Sequence, residues 1–295
     1  MTKAKTPKRA RGADGRAGSA TRALTPTPRP TPGTFLGGWE LPHRYGPQVH
    51  ILNNRFLLSA LARLGGTRVR HPEINELLRV VYRAMIVTVA GRELPTMETA
   101  TPTRMVEKNP AGVYRGPILD PDSQVVVVSV IRAGIIPSQI CFDMLNLVVD
   151  PDRVRLDHLT MARITDAKGK VTGVSLEASK IGGAVDGAIL FLPDPMGATG
   201  TTTSAAIHHY ETRHGRPSRV VVMPMIATPE FLRKVLKECP KAVVYTARLD
   251  RGLSPPDVLA RIPGERWDEE VGLDSHDYIV PGAGGMGEIL NNSWC

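Results

Sequence analysis

Strands covered on both faces, alternating with helices, constrain this chain more than any other feature. Val125–Ile131 is a β-branched run interrupted only by Ser129. A run with no polar alternation suits a strand buried on both sides. Residues 154–161, 188–192, 219–226 and 242–246 read as further strands. Between them, residues 138–147, 201–214 and 229–239 read as helices, the second stopping at Gly215 and the third capped by Thr228. A Lys-Gly-Lys turn within 167–171 predicts a hairpin over 164–179. Strand–helix alternation of this kind predicts an α/β fold, a parallel sheet flanked by helices. Ligands of such sheets bind beyond the carboxyl ends of the strands. The loops after Ile131, Leu192 and Thr246 are therefore the places to search for a site.

Upstream, residues 72–90 carry Ile74, Leu77, Leu78, Val81, Met85 and Ile86 at helical spacing, with Pro72 at the first helical position and Gly91 as the stop. Residues 50–64 predict a second amphipathic helix. The net charge of +8 suggests nucleic acid only until it is located. Residues 1–33 hold Lys3, Lys5, Lys8, Arg9, Arg11, Arg16, Arg22 and Arg29 against Asp14 alone, so nearly all of the excess lies there. That stretch has too little apolar surface to offset the entropy of ordering, which predicts a disordered basic tail before a domain over 34–295. A transit peptide is the alternative reading of an Arg-rich, acid-poor start. The domain itself is nearly neutral and aromatics are 5% of the chain, so neither a charged groove nor a stacking platform for nucleic acid is expected. No apolar run approaches the roughly 20 residues of a membrane span. Three widely spaced cysteines, Cys141, Cys239 and Cys295, fit neither a disulfide framework nor a zinc site, which points to a reducing, cytoplasmic compartment.

Residues 188–204 concentrate the chemistry. A strand leads to Asp194, then Pro195, Met196, Gly197, Ala198, Thr199 and Gly200, and a helix opens on Thr201 and Thr202. Small residues let backbone amides approach a ligand, and the helix adds its positive end, so the string is a phosphate cradle. It is not the nucleoside-triphosphatase loop, which needs a lysine: none occurs between Ile181 and Glu230. An N-cap and an ordinary turn would account for one acid and one glycine, not for the whole string.

Asp194-Pro-Met-Gly-Ala-Thr-Gly200 resembles the phosphoribosyl-pyrophosphate motif of uracil phosphoribosyltransferases, Asp-Pro-Met-Leu-Ala-Thr-Gly. Ile131-Arg132-Ala133-Gly134 is similar to the family's Leu-Arg-Ala-Gly. Tyr278-Ile279-Val280-Pro281-Gly282-Ala283-Gly284 is similar to its base-binding Tyr-Ile-x-Pro-Gly-x-Gly, and residues 245–253 resemble the segment that leads into it. The similarity spans roughly 45–293.

The resemblance implies transfer of ribose 5-phosphate from phosphoribosyl pyrophosphate to uracil, giving UMP and pyrophosphate. It implies the fold above with a small hood, formed by the hairpin and the C-terminal loop. Asp194 and Arg132 are the implied catalytic residues. Arg132, Arg163 and residues 194–202 would hold the donor, with Lys180 a further basic candidate. Tyr278, Ile279, Val280, Gly282, Gly284, Gly285, Met286 and Gly287 would read the base. Mg²⁺ would enter with the pyrophosphate, without a dedicated metal cluster. A homo-oligomer and a nucleotide effector such as GTP are also implied.

Several positions depart from the family pattern. Gly285 stands where aspartate follows Pro-Gly-x-Gly, leaving Glu288 as the substitute carboxylate. Gly197 replaces a larger apolar residue, Thr201-Thr202 a smaller pair, and Ser129 a proline. Residues 254–277, with Pro255, Pro256, Pro263 and Trp267, form an insertion beside the base loop. It is compatible with a lid, an added contact surface or a change of specificity. Another base, or a catalytically silent ligand-sensing regulator, are the alternatives these departures keep open.

Overall fold

A computed structural model of the chain describes residues 38–165 and 171–293. The basic tail 1–33 and the Lys-Gly-Lys turn lie outside these residues. The first element is a strand, β1 (Val49–Ile51), where a helix over 50–64 was expected. That helix, α1 (Arg55–Leu64), begins only after Asn54, whose side chain accepts hydrogen bonds from the amides of Phe56 and Leu57. The amphipathic spacing applies to this shorter segment, which buries Leu57, Ala60, Leu61 and Leu64. Helix α2 (Glu73–Glu93) takes Pro72 as its N-cap rather than as its first residue. Gly91 does not stop it: a side chain there would meet open space, and the helix continues to Glu93. The stop is Leu94, which turns extended (ψ 145) ahead of Pro95.

A hairpin absent from the sequence reading follows, β2 (Thr96–Pro102) against β3 (Val113–Leu119). Its residues are mostly exposed, so no apolar alternation announces it. Next come β4 (Val125–Ile131), α3 (Ile135–Leu145), β5 (Val154–Thr165), β6 (Val171–Lys180) and β7 (Ile189–Gly197). Helix α3 starts earlier than expected, directly after Gly134. Strand β5 runs past Met161 to form the expected hairpin with β6, and β7 runs past Leu192, so Asp194 lies within a strand. The rest is α4 (Thr201–Arg213), β8 (Arg219–Ala227), α5 (Pro229–Glu238), β9 (Ala242–Thr246), β10 (Arg248–Leu249), and the short helices α6 (Pro256–Leu259) and α7 (Met286–Ile289). Thr228 caps α5 as expected, its side chain accepting from the Phe231 amide.

The main sheet has the order β1-β9-β8-β7-β4-β5-β6, with β10 beside β8. All its pairs are parallel except β5–β6. Alternate residues of each central strand enter two separate cores. Val125, Val127, Phe191, Val221 and Met223 pack with α1, α2 and α3. Val126, Val128, Leu190, Leu192 and Val222 pack with Ala206, Ile207 and Tyr210 of α4 and with Phe231, Leu232 and Val235 of α5. Each such fully buried side chain contributes about 1.5–3 kcal/mol.

This layering positions the site. Adjacent parallel strands β4 and β7 send their chains to opposite faces, β4 to α3 and β7 to α4. The β4–β7 register stops at Val127 and Phe191, while β7 stays paired with β8 to Gly197. Beyond that point the two strands part, and a crevice opens at their carboxyl ends.

Candidate active site

The crevice is a cleft of about 860 Å³. Its walls come from the end of β4 (Ile131, Arg132, Ala133), from β5 (Met161, Ala162), from the β7–α4 loop (Asp194, Met196, Ala198, Thr199, Gly200, Thr202, Thr203) and from the C-terminal loop (Tyr278, Ile279, Val280, Pro281, Gly284, Gly285, Met286, Gly287, Glu288). The three sequence motifs therefore converge. Pro195 and Gly197 are buried in β7 behind the wall. Thr201 likewise does not line the cleft; its amide faces the Thr199 hydroxyl. Lys180 ends β6 opposite His158 and is not part of the wall. Arg163 lies in β5, and its side chain is outside the described residues.

The β7–α4 loop is built to present amides. Asp194 Oδ1 accepts from the Met196 amide at 2.9 Å, which fixes the carboxyl at the end of β7. Gly200 adopts φ 80, the left-handed region, and a Cβ there would lie 3.1 Å from Val235 Cγ2 and 3.2 Å from the Phe231 carbonyl. Both facts require glycine. Gly200 has no side chain to cap α4; the Thr201 amide faces the Thr199 hydroxyl, and Thr202 and Thr203 bring the helix's positive end to the cleft wall. The loop is pinned from behind: Thr228 donates its hydroxyl to the Ala198 carbonyl at 2.7 Å, and its amide reaches the Gly197 carbonyl at 3.1 Å. The small residue at 197 has a local cause. A Cβ on Gly197 would lie 2.9 Å from Pro224 Cβ and 3.1 Å from the Phe231 ring, so those side chains fill the space.

Arg132 follows β4 at a tight turn, where a Cβ on Gly134 would lie 2.7 Å from the Val130 carbonyl. The Ile131–Arg132 peptide bond is cis. Arg132 Nη1 donates to the Ser293 carbonyl (3.2 Å) and hydroxyl (3.1 Å), and Nη2 lies 3.6 Å from Glu288 Oε1. The C-terminal loop thus meets the arginine directly. Arg248 and Asp250 hold that loop: they form a bidentate pair at 2.6 and 2.7 Å. Asp250 Oδ2 accepts from the Gly282 amide at 2.8 Å, and Arg248 donates to the Gly282 carbonyl at 2.9 Å. Gly282, expected among the base contacts, has its backbone committed here and does not line the cleft.

The insertion supplies wall residues the sequence reading did not name. Asp274 and Asp277 line the cleft beside Tyr278. Hydrogen bonds from the amides of Tyr278 and His276 hold the Asp274 carboxyl below the usual carboxylate range. The insertion is tied down. Glu270, fully buried, accepts from Arg251 Nη1 and the Gly264 amide, both at 2.8 Å, and from the Tyr45 hydroxyl. Trp267 stacks edge-on against Tyr45 at 4.9 Å and donates its indole N–H to the Pro229 carbonyl at 3.1 Å. Glu230 accepts from the Gly272 amide at 2.9 Å. These bonds tie the insertion to Tyr45, Arg251 and α5. Phe231 and Met161, two further wall residues, read in sequence only as ordinary apolar positions of α5 and β5.

Among the described residues, no group of three or more His, Cys, Asp or Glu is placed to hold a metal, and no helix is long and apolar enough to cross a membrane. The cleft wall does carry four acids, Asp194 at the end of β7 and Asp274, Asp277 and Glu288 from the insertion and the C-terminal loop. That set suits a cation carried in largely by substrate phosphates.

Comparison with known proteins agrees with this geometry. The family model described as uracil phosphoribosyltransferase matches residues 51–265. A uracil phosphoribosyltransferase of Thermosipho melanesiensis is 28% identical over 222 residues, 74% of this chain and 86% of that protein. One from Acinetobacter baylyi is 28% identical over 239 residues, 76% of this chain and 96% of that protein. Among solved structures, the AQ2163 protein of Aquifex aeolicus matches with a TM-score of 0.61 at 18% identity, covering 82% of this chain and 97% of its own. That likeness concerns the fold.

Proposed function

The chain belongs to the uracil phosphoribosyltransferase family, and from that membership we propose that it transfers ribose 5-phosphate from phosphoribosyl pyrophosphate to N1 of uracil. The observation that carries the proposal is the convergence of the β7–α4 loop, Arg132 and the C-terminal loop on one cleft at the switch between β4 and β7. The 5′-phosphate sits on the amides of Thr199, Gly200, Thr202 and Thr203 and on the threonine hydroxyls among them, at the start of α4. Asp194 takes the ribose hydroxyls, and its charge favours the cation that develops as the C1–O bond breaks ahead of C1–N bond formation. Arg132 neutralises pyrophosphate oxygens with its planar fork. Mg²⁺, held by the pyrophosphate with help from Asp194, would add charge neutralisation to the leaving group. The C-terminal loop places the base on the opposite side of the ribose, and that positioning supplies much of the rate.

The test is incubation of the protein with Mg²⁺, phosphoribosyl pyrophosphate and uracil, with product followed by chromatography. UMP is expected, with Asp194→Asn and Arg132→Ala each lowering the rate by about 100-fold or more. Donor binding by calorimetry without UMP would overturn the uracil assignment. A second reading, the same transfer to another base, draws on Asp274 and Asp277 in the cleft wall and on the glycine at 285. A panel of bases separates the two.

A further inference from the structure

Glu288 lies one turn after Gly285, at the start of α7, and lines the cleft. Its Oε1 is 3.6 Å from Arg132 Nη2. Its Oε2 is 2.5 Å from the point where a Cβ on Gly285 would sit. Nothing in the backbone demands glycine at 285: φ is −75 and ψ 90, a conformation open to any L residue. Nor do the surroundings, since the atoms within 4 Å of that Cβ all belong to the Glu288 carboxylate. The place of a short side chain at 285 is thus filled by the tip of a longer one from 288.

Resting on the donor site proposed above, we infer that Glu288 is the positioning carboxylate for Arg132, and that 285 and 288 are alternative seats for that one carboxylate. Arg132 is about one-third exposed and sits on a loop rather than in a strand. A long side chain there has rotamer freedom to lose each time it meets a ligand. Glu288 holds one edge of the guanidinium against the C-terminal loop, and Ser293 takes Nη1. A fixed planar fork meets pyrophosphate oxygens with less ordering cost than a free one. The carboxylate acts through Arg132, so its effect falls on donor affinity and on the KM for the donor, and little on kcat.

The test is a cycle of Glu288→Gln, Glu288→Ala, Gly285→Asp and the double variant Gly285→Asp/Glu288→Ala. Each is titrated with phosphoribosyl pyrophosphate and Mg²⁺ by calorimetry, with thermal melts alongside. The isosteric Glu288→Gln keeps the packing and isolates the charge. Both single changes at 288 are expected to weaken donor binding about fivefold without moving the melt, as for loss of one ion pair, about one-third exposed, that orders its partner. Gly285→Asp alone should also weaken it, because two carboxylates then compete for one space. The double variant should recover to within about threefold of the parent, a coupling that independent sites do not show. Glu288→Gln binding like the parent, or a double variant as weak as Glu288→Ala, would overturn the inference while leaving the donor site standing. A parent protein that binds no donor would overturn both.

Discussion

Removing the charge from Glu270 should loosen the insertion that brings Asp274 and Asp277 to the cleft wall. Glu270 is fully buried and its partner Arg251 is 11% exposed, so Glu270→Gln leaves an almost buried guanidinium without its carboxylate. Breaking such a pair by removing one partner costs about 3–5 kcal/mol. Arg251 keeps the carbonyls of Val258, Leu259 and Arg261 as acceptors, which places the cost near the lower end. Glutamine also still accepts from the Gly264 amide. A loss of about 3 kcal/mol lowers the melting midpoint by roughly 6–12 °C in a domain of this size. If the insertion detaches before the rest unfolds, new protease cleavage within 254–277 replaces part of that shift. Calorimetric melting paired with limited proteolysis reads both. A midpoint within about 2 °C of the parent and an unchanged digest would refute the reasoning, since about 1 kcal/mol or less would then be at stake.

Gly200→Ala should cost about 1–2 kcal/mol for the left-handed backbone alone, more with the 3.1 Å approach to Val235, and should weaken donor binding; urea unfolding and calorimetry check both. Gly91→Ala, on the exposed and open face of α2, should stabilise the protein by about 0.5–1 kcal/mol in the same urea assay. Burial, then the charges of His214 and Arg213, lower the pKa of His209. The unfolded chain therefore takes up a proton that the folded chain resists. This contribution is intact above the unfolded value of about 6.5 and is lost as pH falls from there through the lowered folded value. Urea midpoints at about pH 7.5 and about pH 5.5 should differ less in His209→Gln than in the parent.

The central strands were readable because burial on both faces leaves an unbroken apolar signature, as in Val125–Ile131. The three loops that meet in the cleft were readable because each carries a short motif that resembles one family's. What escaped lacks a local signal. The β2–β3 hairpin exposes Met97, Tyr114 and Ile118, so its pattern resembles neither a helix nor a half-buried strand. Strand β1 was absorbed into a helix because three residues cannot display a period, and what makes them a strand is the edge of β9. Gly91 misled because a glycine ends a helix only where the chain must turn left-handed, and here it stays helical. Asp274 and Asp277 reach the cleft through the Glu270 and Glu230 anchors, contacts far apart in sequence. The role of Gly197 is equally non-local, since Phe231 and Pro224 lie on other elements.

The pairing of β1 with β9 has a consequence for how the molecule is made. Val49 and Ile51 find their sheet neighbours at Val244 and Thr246, and His71 meets the Ile289 carbonyl at 2.7 Å. Residues synthesised early are seated on residues synthesised about 200 positions later. The β4–α3–β5 and β7–α4–β8 units can assemble as the ribosome delivers them, since their partners are close in sequence. Strand β1 must wait, leaving Val49 and Ile51 without their sheet partner until β9 emerges. Contacts of such long sequence separation slow folding. A nascent chain stalled before β9 would carry every residue of the β7–α4 loop and still lack the strand on which β1 pairs.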